Sequence, residues 1–390
     1  MDTSSNIGSW VIEAQLPIRF KVKNSPNLFS DENTDLLEFG GTGDKSRRLI
    51  VIDQNICQHY LKGITHYFDT HKIEIHVIAI EVTEARKNLD SLLLILGEME
   101  AFGLLRRSEP LIAIGGGVLL DLVGMAAGLY RRGVPYIRVP TTLVGLVDAS
   151  IGVKTGINYE NRRNRLGSYY PPLAVYLDKA FLITLAPMEI SSGLGEILKI
   201  AVIKDPQLFN LLEVHGKALV ESKFSDCDVA DDVINLAVQG MKEELENNLW
   251  ETDLKRKVDF GHSFSPIIEM RSIDENRYRP LTHGQAVTLD VIFSSIISCQ
   301  RKLLPKQDLY RIALTAKRMD LPTDHELFHE PLLILEALLD TMKHRNGSQN
   351  LPIPDAIGSA VFINDLTLGQ IKLGISELTL LNEQLNMEYR

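Results

Sequence analysis

The chain has 390 residues, 45% hydrophobic and 24% charged, with a net charge of −10 at neutral pH. This is ordinary globular composition, long enough for two domains, and it excludes a disordered or collagen-like chain and a nucleic-acid partner held by overall charge. Three cysteines, Cys57, Cys227 and Cys299, are too few and too scattered for a disulfide framework or a four-cysteine zinc site, which points to a reducing, cytoplasmic setting.

Residues 10–23 alternate loosely and predict a strand or hairpin, and the Asn-, Asp-, Gly- and Ser-rich stretch to Lys45 predicts a loop. From Arg48 the pattern is β/α: a strand over 49–53, a helix over 56–66, a strand over 74–80 and a helix over 89–102. A short apolar strand at 111–114 runs into Gly115-Gly116-Gly117 and a helical segment ending near Arg131-Arg132-Gly133, with the next strand at 136–139. Strand, glycines, helix and strand form a parallel crossover unit. After Pro187 the apolar spacing becomes helical, over 190–203, 207–219, 229–247, 284–301, 307–317 and 331–342, with scarcely a strand between. The expectation is an α/β Rossmann-like domain over 1–187 and an all-α domain over 188–390. Met1 to Asn6 lack a cationic, apolar start, and no run of 18 apolar residues occurs, so neither a secretory leader nor a membrane span is expected.

Gly115, Gly116 and Gly117 follow a strand and open a helix, a place where backbone N–H groups can approach a pyrophosphate. Asp53, ending an earlier strand, reads either as a ribose acceptor or as a turn residue. Between Pro140 and Pro172, Thr141, Thr142, Asp148, Lys154, Thr155, Asn158, Arg162, Arg163, Asn164 and Arg165 crowd among Gly145, Gly152, Gly156 and Gly167. Such backbone could wrap tightly around a ligand, and cations beside hydroxyl and amide groups suit a small phosphorylated polyol. Glu196 and Lys199 share a helix face, with Gly193 and Gly195 keeping it uncluttered. His262 and His283 each sit beside a glycine with a helix beginning just after. One carboxylate and two imidazoles suit zinc with open positions, although either histidine alone reads equally well as structural. His325-Glu326-Leu327-Phe328-His329 matches a zinc-protease pattern, but Pro322 and Pro331 leave it about two turns at most, so no metal is expected there.

Several motifs together resemble the sugar phosphate cyclases, the family of 3-dehydroquinate synthase. They are Gly115-Gly116-Gly117-Val118 with Asp121, Tyr130 with Arg132-Gly133, Val139-Pro140-Thr141-Thr142-Leu143, Asp148, Lys154-Thr155-Gly156-Ile157-Asn158, and Gly193-Leu194 with Glu196 and Lys199. The likeness runs over about residues 48–370. It implies NAD on the first domain, zinc or cobalt on the second, a sugar phosphate in the cleft between them, and a homodimer. It also implies that Glu196, His262 and His283 are the metal ligands. Asp121, Thr141, Thr142, Leu143, Asp148, Thr184 and Leu185 then fall on NAD positions, with Asp53, Glu84 and Lys87 as further contacts. Lys154, Asn164 and Lys199 fall on positions that hold substrate, joined by Asp148, Arg163, Asp259 and Lys343 and by the metal ligands themselves.

Departures from 3-dehydroquinate synthase narrow the branch. Pro266 stands where that enzyme has a second histidine, Asp259 where it has asparagine, and Lys343-His344-Arg345 differs from its lysine-rich counterpart. An anionic Asp259 would repel a substrate carboxylate. Asn164-Arg165-Leu166-Gly167, Asn248-Leu249-Trp250-Glu251, Asp259 through Pro266 and Ile268-Glu269-Met270 resemble instead the branch that acts on sedoheptulose 7-phosphate to form 2-epi-5-epi-valiolone. Arg163, where lysine is usual, and Gln285, where glutamate is usual, depart from that branch. The alternatives are 2-epi-valiolone synthase, desmethyl-4-deoxygadusol synthase, 3-dehydroquinate synthase and, in another class, a metal-dependent NAD polyol dehydrogenase.

Overall fold

The structure, a computed structural model, describes residues 9–41, 46–160, 162–225, 227–275 and 277–388. The Met1–Asn6 start and the end of the expected loop, 42–45, lie outside the described residues.

The strands of the first half are β1 (Lys21–Asn24), β2 (Ser46–Asp53), β3 (Ile73–Ile80), β4 (Leu111–Gly115), β5 (Tyr136–Pro140), β6 (Lys154–Tyr159), β7 (Arg162–Tyr169) and β8 (Ala174–Leu177). Six of them form a parallel sheet in the order β1-β8-β5-β4-β2-β3. Apolar runs such as Leu49–Ile52 and Leu111–Ile114 are fully buried, as expected of strands covered on both faces. Helix α1 (Gln54–Thr70) packs Ile64, Tyr67 and Phe68 against one face. Helices α2 (Leu89–Phe102) and α3 (Gly117–Leu129) cover the other. After β2 the chain moves out to β3 and returns on the opposite side as β4, so a crevice opens beyond the carboxyl ends of β2 and β4, where ligands bind in such sheets.

The second half is built on α4 (Pro187–Lys204), buried continuously from Ile190 to Val202. Around it lie α5 (Pro206–Ser222), α6 (Cys227–Glu246), α7 (Ser265–Asp274), α8 (His283–Gln300), α9 (Lys306–Arg318), α10 (Pro331–His344) and α11 (Leu368–Glu388). Pro206 and Asp205, whose side chain accepts from the N–H groups of Gln207 and Leu208, start α5 sharply after α4. The crossing of α4 and α8 is unusually close. A Cβ on Gly284 would lie 1.7 Å from the Ser192 carbonyl oxygen, and one on Gly195 would lie 2.3 Å from that of Gly284. Only glycine lets the two backbones touch.

Three expectations are corrected. Residues 10–23 form no hairpin: only Lys21–Asn24 is a strand, paired in parallel with β8, and Trp10, Val11, Ile12 and Leu16 are exposed. The ligand-wrapping loop expected between Pro140 and Pro172 is largely the antiparallel hairpin of β6 and β7. The second half is not wholly helical, because β9 (Leu351–Ala356) and β10 (Ser359–Ile363) form a two-stranded sheet. Pro352 and Pro354 read as strand breakers, yet a two-stranded sheet leaves one edge of each strand unpaired and tolerates them. Among the described residues no helix is long and apolar enough to cross a membrane.

Candidate active site

The nucleotide side forms where β2, β4 and β5 end together, with Ile52 opposite Ile114 and Gly115 opposite Pro140. Gly116 caps α3, and a Cβ there would meet the Thr142 side chain at 2.9 Å. Asp53 caps α1, its carboxylate accepting the Asn55 N–H at 2.9 Å, so the turn role is realised whatever else it binds. Thr141 is buried, and the Thr142 hydroxyl accepts the Gly145 N–H at 3.1 Å. Gly145–Ala149 forms a π-turn that carries Asp148, and Leu143 packs against Gly193 of α4. Lys87 is buried and donates to Asp121 at 2.6 Å and to the Asn164 side chain at 2.5 Å. Thr184 and buried Leu185 lie just before α4, with the Thr184 hydroxyl 3.3 Å from that of Tyr60 on α1.

The close contact of α4 with α8 sets the second group. Glu196 lies one turn beyond Ser192, and His283 immediately precedes Gly284, so the glycine crossing carries the two side chains together. Glu196 Oε1 is 3.1 Å from His283 Nε2 and 3.7 Å from His262 Nε2. The ligand atoms of all three lie within 4.8 Å of one another. Zinc bonds of about 2.1 Å in a tetrahedron separate ligand atoms by about 3.4 Å, so the spacings of Glu196 Oε1 to the two imidazoles fit a divalent ion. Both Glu196 oxygens are buried: Oε2 is held by Lys199 at 2.6 Å, and Oε1 faces the two imidazoles, which presents Oε1 as the carboxylate's ligand atom. Burial works against its ionisation, but the charge of Lys199, 2.6 Å from Oε2, and the hydrogen bond with His283 hold it well below the usual carboxylate range. Burial and the Lys199 charge push His262 down to about 3, keeping it neutral as a ligand must be. Lys199 stays charged because Glu196 and Asp148, the latter at 3.7 Å, outweigh its burial.

The β6–β7 hairpin closes over this group. Arg163 Nε meets Glu84 at 3.1 Å, and Arg163 Nη1 donates to Glu269 of α7, whose Oε2 also accepts from His283 Nδ1 at 2.9 Å. Lys154 is 57% exposed and reaches Glu251 at 2.5 Å, and Arg256 Nη1 reaches Glu251 at 2.8 Å and Asp259 at 3.0 Å. Tyr169 stacks on Trp250 with ring centres 5.8 Å apart, fastening the hairpin to the loop that carries Glu251. Lys343, expected among the substrate groups, does not join them: it is 70% exposed and faces Asp340 at 3.2 Å. Arg345 takes that place, buried, 3.7 Å from Asp259. Glu251, Glu269 and Arg345 appear in the sequence only inside motifs, because Lys154, Arg163 and Asp259, which they meet, lie far away in the chain, and Arg256, whose partners Glu251 and Asp259 are close by, stands in no motif at all. His325 and His329 flank a single 3-10 turn, tied to the Arg279 carbonyl and to Asp324, and among the described residues only Glu196, His262 and His283 form a metal-type cluster.

Fold and site together define a class: a two-domain α/β protein whose parallel sheet offers a dinucleotide edge to a helical half bearing a carboxylate–imidazole cluster. The 3-dehydroquinate synthase N-terminal model matches residues 77–192 and the 3-dehydroquinate synthase C-terminal model residues 193–345. The chain belongs to the 3-dehydroquinate synthase family, whose members here are sugar phosphate cyclases of the lyase class. It is 44% identical over 387 residues to a 2-epi-5-epi-valiolone synthase of Streptomyces albus, covering 96% of this chain and 93% of that one. A demethyl-4-deoxygadusol synthase of Trichormus variabilis is 32% identical over 377 residues, covering 95% and 90%. The solved structure of ValA, the 2-epi-5-epi-valiolone synthase of Streptomyces hygroscopicus subsp. jinggangensis, with NAD+ and Zn2+ bound, superposes with a TM-score of 0.90 at 42% identity, covering 95% of this chain and 99% of that one.

Proposed function

We propose that this enzyme converts sedoheptulose 7-phosphate to 2-epi-5-epi-valiolone with release of phosphate, using NAD and a divalent ion. The observation that carries the reading is the convergence of Glu196, His262 and His283 beside Lys199 in a chain so similar over its whole length to 2-epi-5-epi-valiolone synthases. Glu196, His262 and His283 would hold the ion, and the Gly115–Gly117 turn with Asp53, Asp121, Thr141 and Thr142 would hold the dinucleotide. When bound, these groups supply a temporary hydride acceptor and Lewis acidity at the substrate oxygens.

The chain's own residues do the rest. Lys154 and Arg256 face one carboxylate, Glu251, and offer two cations to a phosphate. Lys199, held charged by Glu196 and Asp148, and Asn164 stabilise negative charge as the C6 proton passes to the substrate's own phosphate and that phosphate leaves C7 with the C–O electron pair. Asp259, clamped by Arg256 and Arg345, accepts hydrogen bonds from a polyol and repels the carboxylate that a 3-dehydroquinate precursor carries. The walls then fix the face of the intramolecular aldol addition. A cytoplasmic homodimer belongs to the same reading, and the exposed apolar run at Trp10, Val11, Ile12 and Leu16 supports its dimeric part.

The test is incubation with sedoheptulose 7-phosphate, NAD and Zn2+, with NMR of the ring product and a phosphate assay. One phosphate per carbocycle without net NADH is expected. Stoichiometric NADH at 340 nm with phosphate retained would instead make the protein a polyol dehydrogenase.

A further inference from the structure

Arg163 belongs to β7, Glu84 to a 3-10 turn on the nucleotide side, and Glu269 and His283 to the helical half. The guanidinium spans the two halves by using different nitrogens: Nε on Glu84 Oε1 at 3.1 Å, and Nη1 on Glu269 Oε2. That same Glu269 oxygen accepts from His283 Nδ1 at 2.9 Å, and Arg163 Nη1 lies 3.0 Å from His283 Nδ1, so two donors converge on one carboxylate oxygen. A hydrogen placed on Nδ1 leaves the Nε2 lone pair facing Glu196 Oε1 at 3.1 Å. Glu84 is itself fixed, its Oε1 accepting from Asn158 at 2.8 Å, and the same turn leads to Lys87 with its bonds to Asp121 and Asn164.

We propose that Arg163 is a positioning residue for the cation: through Glu269 it fixes the ring of His283, and through Glu84 it ties that ring to the nucleotide side. The idea rests on the metal assignment above and deepens it. Lysine would keep the charge at position 163 but offers one nitrogen where arginine applies two, Nε to Glu84 and Nη1 to Glu269, in a fixed fork. The relay is therefore a property of arginine.

Zinc affinity is measured by competition with a chromophoric chelator on the full-length, NAD-saturated protein, with thermal unfolding as the check on folding. Outer partners of metal ligands govern affinity by about 10- to 100-fold. Glu269→Gln is expected to weaken zinc binding by about that range and Arg163→Lys by about tenfold. The double variant should be no weaker than Glu269→Gln alone, because one relay is being cut twice. In the Co2+-loaded protein, both single variants should alter the visible absorption bands, a change that a merely structural role would not produce. Folded variants with zinc affinity within about twofold of the parent and unchanged Co2+ spectra, or strictly additive losses, overturn the proposal. If those results accompany a parent that binds zinc and makes the carbocycle, only the relay fails. A parent that binds no zinc overturns the functional reading and the relay together.

Discussion

Gly284→Ala tests whether backbone contact between α4 and α8 builds the metal site. The new Cβ would lie 1.7 Å from the Ser192 carbonyl oxygen, where ordinary contact begins at 3.4 Å. That oxygen is backbone and cannot swing aside, so the helices must part by roughly 1.5 Å. Overpacking of this kind costs about 1–3 kcal/mol, which lowers Tm by roughly 1–4 °C in a chain of this size. The same parting carries Glu196 Oε1 from its present 3.1 Å to about 4.5 Å from His283 Nε2, beyond the roughly 3.4 Å that one zinc ion spans. Zinc affinity should fall by at least about 100-fold, read by chelator competition beside a thermal melt. Gly97→Ala on α2, where a Cβ meets nothing within 4 Å, is the control. It should leave zinc binding alone and raise stability by up to about 1 kcal/mol. If Gly284→Ala keeps the parent's Tm and zinc affinity, the close crossing is not what assembles the site.

Glu196→Ala and His262→Ala should each remove bound metal, measured by mass spectrometry, and abolish turnover; full activity in either metal-depleted variant contradicts the ligand assignment. Asp259→Asn is expected to lower kcat/KM for sedoheptulose 7-phosphate at least about tenfold, since Arg256 and Arg345 lose the charge they orient; an unchanged rate and product spectrum would remove Asp259 from specificity. Glu213 on α5 takes a two-pronged bond from Arg311 on α9, at 2.9 and 2.7 Å, which lowers its pKa chiefly through that hydrogen bond. A lowered carboxylate stabilises the fold above its ordinary value of 4.5 and ceases to do so as pH falls through its folded value. Glu213→Gln should therefore cost up to about 1 kcal/mol at pH 7, with the gap between parent and variant melts narrowing as pH falls below 4.5.

The parallel sheet was legible because Leu49–Ile52 and Leu111–Ile114 are short apolar runs ended by punctuation, and Gly115–Gly117 mark a strand-to-helix turn. The grouping of Glu196 with His262 and His283 was legible only through family likeness; spacing could not show that the glycines beside them bring two helices into contact. The hairpin over Lys154–Tyr169 was hidden because charge and glycine dominate it: Gly156 and Gly167 pair opposite one another, where a Cβ on Gly167 would lie 2.5 Å from the Thr155 carbonyl oxygen. What looked like loop glycine is close strand pairing. Lys343 and Arg345 are cations two residues apart at the end of α10, indistinguishable by residue type, and only the helix terminus decides that Arg345 turns inward. The bond of Arg163 to Glu269 crosses 106 residues, a distance over which sequence pattern carries no information.

The edge strand β1 has consequences for how the chain acquires its shape. Its one sheet neighbour is β8, so Lys21 waits for Ala174, while Leu28 waits for Asp178, whose carboxylate accepts its N–H at 3.0 Å. During synthesis at about 5–20 residues per second, a strand made so far ahead of its partner must remain unpaired for roughly ten seconds or more. Closing so long a span is slow compared with local helix formation. β1 is thus among the last strands to be seated in the sheet although it is made before its partner, and Lys21 and Lys23 keep that waiting strand charged and poorly suited to sticking to anything else.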